Sequence, residues 1–221
     1  MMIRLVLFDL DGTLVTFTLD VKNSKKEIIN YLNINKIDIE PDRHLGFNHL
    51  FTLVKKKLED RCDIEYQKVR NDLFQIMKTF EENASKTTEL QDSCVEVLRD
   101  LVKRNVKIGL VTSNNKKTAH DILKKFDIYN FFDIIICRED TYRHKPDPTP
   151  LQKAIKGLNM KNEETIFIGD SIFDVNAAKN LGIPVIGIAK NESDITRLRK
   201  YEPEYLVENL KEVNEILKTL I

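Results

Sequence analysis

Two carboxylates separated by a single residue leave the end of an apolar run in Phe8-Asp9-Leu10-Asp11-Gly12-Thr13-Leu14. The run over 3–8, Ile-Arg-Leu-Val-Leu-Phe, reads as a buried strand, and Gly12 ends it. Carboxylates are costly inside an apolar sheet, so Asp9 and Asp11 belong at its carboxyl end, where open α/β sheets bind ligands. Two acidic groups this close repel unless a cation or a shared proton relieves them, and a divalent metal at their tip would do so. Asp and Gly also suit a plain polar strand-to-turn junction, so this segment by itself leaves both readings open.

Three later segments repeat the pattern. Val106 to Val111 is a second apolar run and ends in Thr112-Ser113-Asn114-Asn115. His144-Lys145-Pro146-Asp147-Pro148 places a cation in a loop that proline keeps extended. Thr165 to Ile168 is a third apolar run, ending in Gly169-Asp170-Ser171 and followed by Asp174. Each delivers polar groups that a phosphate or a metal would need. Asp-x-Asp-Gly-Thr, a hydroxyl after a strand, a lysine and Gly-Asp-x-x-x-Asp, in this order, resemble the four motifs of the haloacid dehalogenase-like hydrolase superfamily. The resemblance covers the whole chain and is to the phosphatase branch with a helical cap inserted after the first motif. That branch includes phosphoglycolate phosphatases, pyrophosphatases and β-phosphoglucomutases. Singly, Thr112 could be a helix cap, Lys145 a solvated loop cation and Asp174 an exposed helix residue; their joint order is what argues for a site.

The resemblance implies a Mg²⁺-dependent phosphatase acting on a small phosphorylated metabolite through an aspartyl-phosphate. Asp9 would be the nucleophile, splitting one hard step into two. Asp11 would protonate the leaving oxygen, then activate water, while its main-chain carbonyl helps hold the metal. Mg²⁺ suits such a site because it is a hard ion that takes few carboxylates together with phosphate and water. Asp9, Asp11 and Asp170 are the expected metal ligands, with Asp174 orienting water on the metal or holding Lys145. Thr112 would donate its hydroxyl to the transferring phosphoryl group, Ser113 and Asn114 would bring amides of a helix start, and Lys145 would neutralise the developing charge. A phosphosugar mutase of the same family, or a non-catalytic protein that binds phosphometabolites, remains open as an alternative. One departure concerns substrate: Val15-Thr16-Phe17-Thr18 lacks the acidic residue that many capped relatives carry soon after Gly-Thr-Leu.

These residues need a scaffold, and the hydrophobic pattern describes one. Beyond about residue 88 strand and helix signals alternate: helices over 90–103, 117–126, 150–158, 173–181 and 210–220, strands over 106–111, 133–137, 165–168, 184–189 and 205–207. Repeated βα units predict right-handed crossovers and a parallel sheet covered on both faces, a doubly wound, Rossmann-like α/β core. Between residues 16 and 86 the pattern is helical, with segments over 27–32, 45–58 and 65–80 joined by polar connections at 40–43 and 59–61. The expected organisation is a catalytic core of residues 1–15 and 87–221 with a helical cap over 16–86. Phe17 reads as packing at the hinge, with a substrate contact as the alternative.

Bulk properties fit a soluble, cytoplasmic enzyme. A chain of 221 residues can bury a substantial core, and 35 Lys plus Arg balance 35 Asp plus Glu. No basic field argues for nucleic acid or an anionic membrane, no stretch is long enough to span a bilayer, and the N-terminus starts directly with a strand. Cys62, Cys94 and Cys137 are odd in number and widely spaced, as expected of buried or free thiols in a reducing compartment. His44, His49, His120 and His144 show no ligand spacing; His44 and His49 read as residues of the cap surface, and His144 as a surface residue, with a substrate contact as the alternative. Lys55-Lys56-Lys57 reads as the solvated face of a helix. Oligomeric state is left open.

Overall fold

The computed structural model describes residues 2–39, 47–58 and 63–221. His44, Cys62 and the polar connections at 40–43 and 59–61 lie outside the described residues, as does the side chain of His49. Among the described residues six strands form one sheet: β1 (Leu5–Phe8), β2 (Lys107–Val111), β3 (Ile134–Ile136), β4 (Thr165–Gly169), β5 (Val185–Ile188) and β6 (Tyr205–Val207). Every pairing is parallel, and the order is β3-β2-β1-β4-β5-β6. The chain therefore winds outward twice from β1, which places a switch in connection at the carboxyl ends of β1, β2 and β4. This is the doubly wound α/β core that the sequence pattern predicts.

Register explains why the polar strand ends converge. Phe8 lies opposite both Leu110 and Ile168, so the three strands finish at one level. Asp9 then donates its N–H to Ile168 O at 2.9 Å. Side chains alternate along each strand. Val6, Phe8, Ile108, Leu110, Ile166 and Ile168 fill one core, while Leu5, Leu7, Val111 and Phe167 fill the other.

Each core is closed by helices. The helices that pack on the sheet are α4 (Cys94–Lys103), α5 (Lys116–Lys125), α6 (Thr149–Gly157), α7 (Ile172–Leu181), α8 (Glu192–Arg199) and α9 (Leu210–Leu220). Val97, Leu98, Leu101, Ile122, Val213 and Leu217 bring α4, α5 and α9 onto the first core. Leu151, Ile155, Val175, Ala178 and Leu198 bring α6, α7 and α8 onto the second. Cys94 and Cys137 are buried free thiols whose pKa burial pushes up to about 12.

Around this sheet two elements differ from the sequence expectation. The helix expected over 90–103 begins at Cys94, because Leu90 instead bridges Val15 and Gln91 N–H donates to Leu14 O at 2.9 Å. The helix α8 had no counterpart in the hydrophobic pattern, since only Leu198 within it is buried. Its signal is a cap: the Asn191 side chain accepts the Asp194 N–H at 3.0 Å.

The chain divides into two compact units, Met1–Phe17 with Thr87–Ile221, and Thr18–Lys86. In the first, Thr16 N–H donates to Glu89 O at 2.8 Å and Glu89 N–H to Thr16 Oγ1 at 2.9 Å, and Phe17 packs half-buried on the core. The second is helical, with α1 (Val21–Ile34), α2 (Phe47–Lys57) and α3 (Asp63–Ala84) around Ile28, Leu32, Val54, Leu58, Val69 and Leu73. Tyr31 there donates its hydroxyl to Asp72 at 2.6 Å, and Lys55, Lys56 and Lys57 are exposed. No helix among the described residues is long and apolar enough to cross a membrane.

Candidate active site

Asp9 is buried at the tip of β1, where its Oδ1 accepts the Lys145 ammonium at 2.5 Å. Lys145 is itself buried and donates to Asp174 Oδ1 at 2.6 Å and to Val111 O at 3.2 Å. One cation thus links the carboxylates at the ends of β1 and at the start of α7. Its ammonium also lies 5.5 Å from the centre of the Phe167 ring, which adds a weak attraction and an apolar floor. Desolvation works against the charged lysine, but Asp174 and Asp9 outweigh it and hold its pKa above the ordinary value.

Asp174 is fixed by its own helix start. Ser171 caps α7, accepting the Asp174 N–H, while Asp174 Oδ2 accepts the Ser171 N–H at 3.0 Å and its hydroxyl at 2.6 Å. This reciprocal cap leaves Oδ1 aimed at Lys145. Asp170 comes from the β4 end, and a Cβ at Gly12 would meet its Oδ2 at 2.0 Å. Gly12 also has φ of +79°, so only glycine lets the loop after Asp11 lie flush on Asp170.

Oxygens of Asp9, Asp170 and Asp174 all lie within 4.8 Å of one another. Burial, with Asp174 adding repulsion and Lys145 opposing, raises the Asp9 pKa to about 7. Burial followed by the Asp174 and Asp9 charges raises that of Asp170 to about 8. Lys145 therefore neutralises only part of the cluster. A donor set made wholly of oxygens, carrying excess negative charge, fits a hard divalent cation such as Mg²⁺.

The β2 end supplies the opposite wall. Thr112 is buried, donates its N–H to Ile136 O at 2.9 Å, and accepts the Asn114 N–H on Oγ1 at 3.1 Å. Asn114 is also buried, and its Nδ2 donates to Asp11 Oδ1 at 2.8 Å. Ser113 is exposed, and its carbonyl accepts from Arg138 at 3.3 Å. The cap of α5 is Asn115, whose side chain accepts the Thr118 N–H at 2.9 Å, so Ser113 and Asn114 lie just before the helix start. His144 is half-buried beside Lys145, whereas His120 packs edge-on against the Tyr129 ring at 5.3 Å.

The model of the haloacid dehalogenase-like hydrolase family matches residues 6–188. The chain belongs to that family. A pyrophosphatase PpaX from Halalkalibacterium halodurans is 29% identical over 220 residues, covering 98% of each chain. The pyrophosphatase PpaX of Bacillus mycoides is 28% identical over 221 residues, covering 100% of this chain and 99% of its own. Among solved structures, a "predicted phosphatase" from Clostridium acetobutylicum superposes with a TM-score of 0.70 at 22% identity, covering 100% of both chains, a likeness of fold.

Within this haloacid dehalogenase-like scaffold two side chains stand at the site that sequence reasoning missed or read differently. Lys190, just past β5, donates to Gly12 O at 2.6 Å and carries positive charge next to Asp170. Burial lowers its pKa, with Asp170 and Asp194 opposing. Its signal was position: it follows an apolar run at the same end of the sheet as the other polar groups. Asn114 was expected to offer its backbone amide to phosphate, yet that amide is taken by Thr112 and the side chain reaches Asp11.

Proposed function

We propose that the chain is a Mg²⁺-dependent phosphatase that hydrolyses a small phosphorylated metabolite through an aspartyl-phosphate on Asp9. The observation that carries this reading is the buried Asp9–Lys145–Asp174 link beside Asp170, at the ends of adjacent parallel strands. Asp9, Asp170 and the main-chain carbonyl of Asp11 would hold the ion, with Asp174 orienting the cluster. When bound, Mg²⁺ would supply positive charge against the phosphoryl oxygens and keep both raised carboxyls ionised.

The protein's own groups do the rest. Lys145 opposes the burial that raises the Asp9 pKa, and an Asp9 oxygen attacks phosphorus as the bond to the leaving oxygen breaks. Asp11 gives its proton to that oxygen and then takes one from water, which attacks the aspartyl-phosphate and releases phosphate. The Thr112 hydroxyl and Lys145 stabilise charge on the transferring group. The helical unit Thr18–Lys86 follows the first motif directly in the chain, which supports a role as the cap that selects substrate.

The test is phosphate release from pyrophosphate, sugar phosphates and other phosphomonoesters, with and without Mg²⁺, for wild type and Asp9→Asn. The names of the relatives put pyrophosphate first in the panel. Release that needs both Mg²⁺ and Asp9 is expected, with one substrate well above the others in kcat/KM. Substantial turnover by Asp9→Asn would remove Asp9 as nucleophile, and isomerisation without release would make the protein a mutase.

A further inference from the structure

The buried side-chain amide of Asn114 holds one oxygen of Asp11. Asn114 Nδ2 donates to Asp11 Oδ1 at 2.8 Å. The asparagine cannot swing away freely. It is only 3% exposed, its N–H is bonded to Thr112 Oγ1, and its carbonyl accepts the Arg138 N–H at 3.0 Å. The loop around it is therefore tied to both β2 and the turn after β3. The Asn114 donor restrains the orientation of the Asp11 carboxyl at the tip of the loop after β1.

We propose that Asn114 is a positioning residue for acid catalysis: it fixes the orientation of the Asp11 carboxyl toward the leaving oxygen. The proposal rests on the assignment of Asp11 as general acid and base. In the first step the Asp9 oxygen forms its bond to phosphorus, the bond from phosphorus to the leaving oxygen breaks with its electron pair, and the Asp11 proton passes to that oxygen. In the second, the Asp11 carboxylate takes a proton from the attacking water, phosphate departs, and Asp9 is restored as a carboxylate. Asn114 neither gains nor loses a proton in either step.

Leaving-group dependence tests this. Poor leaving groups need a proton during bond breaking, and activated ones do not. The value of kcat/KM reports formation of the aspartyl-phosphate, so it isolates the acid step. Asn114→Ala should lower kcat/KM by about 10- to 100-fold for alkyl phosphates but by less than about threefold for 2,4-dinitrophenyl phosphate, as partial loss of acid catalysis predicts. Asp11→Asn should show the same pattern more steeply. Asn114→Ser, with its short hydroxyl donor, should recover part of the loss, and it carries the test if the alanine variant melts before assay temperature. A loss of equal size across the whole series in the Asn114 variants, with a graded loss in Asp11→Asn, would overturn the proposal and leave Asn114 as a phosphate-binding or packing residue. A flat series in Asp11→Asn would instead overturn the acid assignment itself.

Discussion

At the scale of single residues the site is a problem of charge. Asp9, Asp170 and Asp174 are crowded to within 4.8 Å, and Lys145 bonds two of them. Removing one member of a buried ion pair leaves the other uncompensated. Lys145→Met should therefore cost about 3 kcal/mol at neutral pH, the low end for an orphaned buried charge, because Asp9 can take up a proton instead. Urea unfolding would measure it. Activity should fall about 100- to 1,000-fold through loss of a preorganised charge, and a variant that kept near-normal kcat/KM would deny Lys145 that role.

At the scale of elements, each functional group is held by the way its strand or helix ends. Asp174 owes its direction to the cap it shares with Ser171. Ser171→Ala removes the hydroxyl that Asp174 Oδ2 accepts at 2.6 Å and leaves the first turn of α7 less restrained. The cost should be about 1 kcal/mol, typical of a lost cap, read as a lower melting temperature. If the cap also aims Asp174 at Lys145, kcat/KM should drop about tenfold beyond the stability effect, as small misplacements of catalytic groups do. Equal kcat/KM in the variant and wild type would make the cap a matter of folding alone.

For the molecule as a whole, the raised carboxyls couple stability to pH and to metal. Asp9 and Asp170 stand at about 7 and about 8 against an ordinary 3.8, so between these values the folded protein binds more protons than the unfolded chain. Stability contributed by those protonated groups is present below about pH 4 and is lost as pH rises through the folded values. Without metal, the melting temperature should fall between about pH 4 and pH 8 from this source. Lys145 does not reverse the trend, because its pKa is held above the ordinary lysine value and it stays charged throughout that range. Mg²⁺ binds the ionised carboxylates, so it should raise the melting temperature more at pH 8 than at pH 5, and chelation should undo the gain. Melting curves unaffected by Mg²⁺ at both pH values would count against a metal at this cluster.

The sequence by itself determined the α/β class, the strands that matter and the order of their polar ends. Those signals are local: an apolar run too short for a helix, then Asp, Thr or Gly-Asp where the chain leaves the core. Asp9 and Asp170 could be read this way because an ionic group at a strand end has few structural uses, whereas Thr112, Lys145 and Asp174 were legible only through the order of the four motifs. Leu90 and α8 were misread for the converse reason. A lone apolar residue can serve a bridge as well as a helix, and a helix with one buried side chain has almost no period. Tertiary structure decided which polar groups meet. Parallel register brought Phe8, Leu110 and Ile168 to one level, and only that alignment put Asn114 on Asp11 and Lys190 on Gly12. Contacts across 103 and 178 residues of chain leave no local trace, because they depend on where the strands pair rather than on what any one segment prefers.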